Sequence, residues 1–138
     1  MKRYILLFLF FYTALFAKSN QYELKLYTQL LPSIFVQKPL VVFVDEETKV
    51  LLKESKLFHI VNECTQEVTL LIGKHFDRLS PACQDKPQFS TTYRSFKNDL
   101  NSFGAFYWRK GRPQIRFQQE VIDRYNLRLP ESLKRYIR

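Results

Sequence analysis

Apolar and polar positions along this chain follow two periods, and the change of period marks the elements. The clearest stretch is Phe103–Phe117, FGAFYWRKGRPQIRF. Folded about Lys110-Gly111 as a β-hairpin, it pairs Arg109 with Arg112, Trp108 with Pro113, Tyr107 with Gln114, Phe106 with Ile115, Ala105 with Arg116 and Gly104 with Phe117. Side chains alternate across a strand, so Gly104, Phe106, Trp108, Pro113, Ile115 and Phe117 share one apolar face. Ala105, Tyr107, Arg109, Arg112, Gln114 and Arg116 share the other, which the pattern predicts to be a wet surface. A slip of one residue would destroy this sorting, so the register is well specified. Gly111 supplies the positive φ of a tight turn. Pro113 cannot donate to a ladder, which places the hairpin near a sheet edge.

Tyr22–Leu31 sets Tyr22, Leu26 and Leu30, with Tyr27 beside them, on one helical stripe that Pro32 is expected to stop. Pro39 introduces Leu40–Val44 (LVVFV), an unbroken apolar run of the kind buried in parallel sheets. Asp45 follows as an N-cap, with Glu46 and Glu47 in the first turn of a helix reaching Ser55. Leu57–Val61, Val68–Ile72 (ended by Gly73) and Phe89–Tyr93 read as further strands. Arg94–Leu100 reads as a short helix or turn and Gln118–Tyr125 as a helix; Pro130 opens a last helix, Glu131–Ile137. Buried strands alternating with helices predict a small α/β domain, with a mostly parallel sheet, flanking helices and a C-terminal antiparallel hairpin.

The N-terminus changes the picture. Residues 1–17 read as a signal peptide: Lys2 and Arg3 precede an apolar run, Ile5–Phe16, broken by Thr13 alone. Ala14 and Ala17 suit cleavage after Ala17, although Leu15 leaves an uncleaved anchor open. The run is short of the roughly 20 residues a spanning helix needs. Residues 18–138 then form one domain, expected in the periplasm. Cys64 and Cys83 are the only cysteines. In an exported chain an even pair suggests one disulfide, and two buried thiols are the alternative.

Charge is unevenly spread. Residues 18–93 carry nine Lys/Arg and nine Asp/Glu, whereas residues 94–138 carry eleven and four. Outside the cytoplasm nucleic acid is an improbable target for such a region. Acidic protein, anionic lipid or cell-wall polymer fits it better, and a merely solubilising surface fits the scattered charges equally.

No catalytic signature emerges. The three glycines, 73, 104 and 111, form no phosphate loop, and there is neither GxSxG nor HExxH. Asp45 stands at a strand end where α/β folds place ligands, yet N-capping already explains it. His59, between Phe58 and Ile60, reads as a structural histidine; His75, in GKHFDR, is a weak candidate for a base or pH sensor. The cysteine spacing fits no metal site. No catalytic residue, metal or cofactor is expected.

Three segments resemble the YfiR-like family of small periplasmic regulators. They are Val68–Gly73 followed by Phe76, Ser102–Phe117 with its Arg116-Phe117 pair, and Leu127–Leu133 (LRLPESL). Gln119-Glu120 stand where the family's Ile-Asn usually follows the Arg-Phe pair. The resemblance implies a Rossmann-like α/β fold, export and disulfide use. It implies a non-enzymatic role as well: repressing an inner-membrane diguanylate cyclase, within cyclic-di-GMP signalling, by contact with its periplasmic part, often as a homodimer. The expected function is therefore a periplasmic regulatory module whose partner surface holds Tyr107, Arg109, Arg112 and Arg116. The alternative is a small-molecule sensing or solute-binding module with its ligand near Asp45 and Gly73.

Overall fold

Five consecutive apolar residues can be satisfied only by a strand covered on both faces, and the sheet is built outward from that strand. The computed structural model describes residues 20–36 and 39–138, so the signal peptide read at 1–17 lies outside the described residues. Strand β1 (Leu40–Val44) is flanked in parallel by β2 (Phe58–Ile60) and β3 (Leu70–Gly73). Strands β4 (Gln88–Ser90) and β5 (Ser102–Arg109) continue the parallel sheet, and β6 (Arg112–Phe117) closes it antiparallel. The order is β2-β1-β3-β4-β5-β6. This is the Rossmann-like α/β architecture expected, with the hairpin at one edge.

Among the described residues four helices accompany the strands: α1 (residues 20–34), α2 (Glu46–Leu52), α3 (Tyr93–Asn98) and α4 (Gln119–Arg124). Two 3-10 turns, Pro81–Cys83 and Glu131–Tyr136, complete the set; the second replaces the helix expected after Pro130. Helix α1 does not stop at Pro32. Ile34 and Phe35 are buried one turn further on, and their burial offsets the roughly 3 kcal/mol that an interior proline costs. The buried stripe is Tyr27, Leu30, Leu31, Ile34 and Phe35, and Tyr22, expected on it, is 45% exposed.

The sheet has two unequal cores. One face carries Leu40, Val42, Leu70, Ile72, Phe89 and Phe103 beneath α1, Leu52 of α2 and Val121 of α4. The other holds two smaller clusters: Val68, Leu71 and Cys83, with Val41, Phe43 and Phe76 packed against them, and Ala105 and Tyr107 with Phe96 of α3. Cys64 and Cys83 are joined by a disulfide, their Cα atoms 5.9 Å apart. The β4–β5 register shifts so that Gln88 meets Ser102 and Phe89 meets Gly104. This bulge puts Phe103 on the same core as Phe106, which simple alternation would forbid.

Strand ends differ from expectation where capping competes. Tyr93 opens α3 instead of ending β4, because the Thr92 hydroxyl accepts from Ser95 N–H at 3.1 Å. His59 is exposed on the edge strand β2, which corrects its reading as a structural histidine; on a three-residue edge only one face is packed.

Candidate functional site

The hairpin forms in the register that the sorting predicts, pair for pair from Gly104–Phe117 to Arg109–Arg112. Lys110 and Gly111 have φ of 50° and 74°, the two positive values of a type I′ turn. No bulge separates Arg109 from Arg112. Both are exposed, and neither has an acidic partner among the described residues. Arg116 is half-buried, and its Nε donates to the Tyr107 hydroxyl at 2.9 Å.

Tyr107 corrects the expectation of a uniformly wet face. It is 6% exposed, because α3 packs over this part of β5 and buries Phe96, Ala105 and Tyr107 together. Tyr93 lies on its ring, centroids 5.5 Å apart, and is 51% exposed. Tyr93 therefore presents the aromatic surface expected of Tyr107. The outer edge of β6 is blunted. Gln118 N–H bonds inward to the Phe103 carbonyl, so the alternation turns residues 113, 115 and 117 outward. Pro113 has no N–H to offer, and the Phe117 carbonyl is taken by Arg138 N–H at 2.9 Å. Ile115 alone presents an outward N–H, too little for β-augmentation.

A second feature lies where the strand order reverses. From β1 the chain crosses to β2 on one side, and β3, β4 and β5 lie on the other, so a crevice opens at the carboxyl ends of β1 and β3. Asp45 follows the last residue of β1 there. One carboxylate oxygen accepts from Thr48 N–H at 3.0 Å and from the Thr48 hydroxyl at 2.6 Å; the other accepts from Lys74 N–H at 2.8 Å. A Cβ on Gly73 would stand 2.5 Å from that second oxygen, so glycine is required there by close approach. Asp45 is thus both the N-cap expected and a latch between β1 and β3. The Lys74 ammonium pairs with Glu47 at 2.9 Å, and that hydrogen bond holds its pKa above the ordinary range. His75 is exposed beside Asp77, 2.7 Å away.

The crevice holds about 600 Å³. Phe106 and Trp108 form one wall, α2 the facing wall, and Tyr27 the floor. The Trp108 indole N–H donates to Glu23 of α1, and Tyr22 packs on both wall rings. Tyr27 is 2% exposed, and its ring meets Phe89 and Phe106 edge-on. Burial first, then the Glu23 and Asp45 carboxylates, push its pKa far above the ordinary 10.0. A raised tyrosine pKa leaves stability untouched below pH 10 and erodes it above, because the unfolded chain releases the proton first. Alkaline titration of unfolding should therefore show stability falling above about pH 10, less steeply in Tyr27→Phe; identical slopes for the two proteins would contradict the burial of this phenol.

Among the described residues no cluster of His, Cys, Asp or Glu is placed to hold a metal ion, and no helix is long and apolar enough to cross a membrane. The molecule is thus a Rossmann-like α/β domain with a basic edge hairpin and an open crevice at its switch point. Comparison with protein-family models, with curated proteins and with solved structures found no match. The sequence pattern located the hairpin arginines and the strand-end position of Asp45. It missed Tyr27 as a floor and Tyr93 as a surface ring, although the heptad spacing of Tyr27 from Ile34 was a usable sign of the first.

Proposed function

We propose that this protein is a non-enzymatic periplasmic regulatory module that docks its basic hairpin on an acidic surface of a partner. The observation that carries this is the Arg109–Arg112 pair. Two like charges face each other directly at an exposed tip, with no carboxylate among the described residues to offset them. Such a pairing is destabilising in the free molecule, and an anionic partner reverses its sign. Arg116 and the exposed ring of Tyr93 extend the same surface, and residues 94–138 hold the chain's excess of positive charge. Tyr107 acts beneath this surface, orienting Arg116 through its hydroxyl. The blunted β6 edge favours side-chain recognition over strand addition.

The resemblance to YfiR-like regulators supplies the partner class, the periplasmic part of an inner-membrane diguanylate cyclase. The residue 1–17 signal and the disulfide support export. In the test, Arg109→Glu/Arg112→Glu/Arg116→Glu and wild type are compared for binding to the purified periplasmic domain of such a cyclase from the same cell. Wild type should bind with an affinity that falls as salt rises. The variant should bind on the order of a hundredfold more weakly, with its melting temperature nearly unchanged. Equal affinity in a folded variant removes this surface from the mechanism.

A further inference from the structure

We propose that the crevice between the carboxyl ends of β1 and β3 binds a neutral polyhydroxylated small molecule, a sugar of one or two rings, between Tyr27 on its floor and Trp108 on its wall. The site shares β5 with the docking hairpin but none of its charges: none of Arg109, Arg112 and Arg116 lines it.

Three observations converge. The crevice sits at the topological switch point, where parallel α/β sheets gather ligands, and its roughly 600 Å³ lies within the size range of small-molecule sites. Its floor holds an unanswered polar group. Tyr27 is 2% exposed and lines the crevice, yet its hydroxyl has no hydrogen-bond partner among the described residues. No buried side-chain nitrogen or oxygen among the described residues lacks a partner, so this hydroxyl is the part of Tyr27 that meets solvent, open to a group that enters from above.

The lining then selects the chemistry. Glu47 pairs with Lys74 and Glu23 accepts from the Trp108 indole, while Lys53 and Glu54 add one charge of each sign to the lining. A net ion gains little there. Trp108, 40% exposed, offers a flat apolar platform of the kind that the C–H face of a pyranose covers. Around it stand the Tyr27 and Thr91 hydroxyls and the second carboxylate oxygen of Glu23, which suit a ring of hydroxyl groups that both donate and accept.

Trp108 is the only tryptophan of the chain, so its fluorescence reports on this wall alone. The full chain is titrated with glucose, N-acetylglucosamine and maltose, and with citrate and spermidine as charged probes. At least one sugar should shift the emission saturably, with a dissociation constant of about a millimolar, and Tyr27→Phe should weaken it about tenfold at an unchanged melting temperature. Thr91→Val gives a second, surface-accessible variant with the same direction of change, and Arg109→Glu should bind as wild type does. The proposal is overturned if no sugar produces a saturable shift, if Tyr27→Phe and Thr91→Val both bind as wild type does, or if only citrate or spermidine binds.

Discussion

Gly104→Ala is expected to lower the unfolding free energy by about 3 kcal/mol, the upper range for overpacking a filled core. The cause is geometric. A Cβ at this position would lie 2.7 and 2.9 Å from two ring atoms of Phe117 and 3.1 Å from the Arg116 carbonyl. Phe117 stands directly across the ladder and is fully buried, so its ring has nowhere to swing. The carbonyl belongs to the neighbouring backbone and moves only with the strand. The glycine thus makes room for the Phe117 ring against the backbone of β5. A double-mutant cycle read by chemical denaturation checks this. Phe117→Ala alone should cost about 3–5 kcal/mol, and adding Gly104→Ala should then cost less than about 1 kcal/mol, a coupling of about 2 kcal/mol. A full cost for Gly104→Ala in both backgrounds would show that backbone conformation, not the ring, excludes a side chain there.

That pair also shows how far the sequence could be read. The hairpin register was legible because its signal is local: period-two alternation on both arms and a glycine at the turn allow only one sorting. Strand β1 was legible for the same reason, as an apolar run bounded by Pro39 and Asp45. What failed depends on contacts between distant segments. Tyr107 alternates with Phe106 like any wet strand residue, and only the packing of α3 over β5 buries it and leaves Tyr93 outside. Pro32 is a sound local stop signal, overridden because Ile34 and Phe35 fill the core beneath the sheet. The strand order is not written in any one segment. The crevice, which exists because that order reverses at β1, therefore had only Asp45 and Gly73 as a trace. Tyr27 was visible as one more ring on a helix, and its open hydroxyl is a property of the assembled floor.

The second large effect concerns the thinner core. Reducing the disulfide, or replacing it by Cys64→Ala/Cys83→Ala, should cost about 3 kcal/mol, the loop-closure value for a ring of this size. The segment it closes spans 19 residues and contains β3, the strand between β1 and β4. Around the bridge the described residues supply a 3-10 turn and loops rather than a helix, and this cluster has just three fully buried residues. Cys83 is one of them, so the bridge is at once a staple and part of the packing. The Ser80 hydroxyl bonds to the Cys64 carbonyl at 2.6 Å and Cys83 N–H to the Ser80 carbonyl at 2.9 Å, bonds that hold the turn only while its ends are kept together. Hydrogen exchange should therefore quicken first at residues 64–83 in reductant, with α1 and the hairpin following only at global unfolding. An unchanged denaturation midpoint in reductant would mean that packing alone secures this face. A loss of the expected size would mean that the fold depends on an oxidising compartment, which is the condition that the proposed periplasmic role requires.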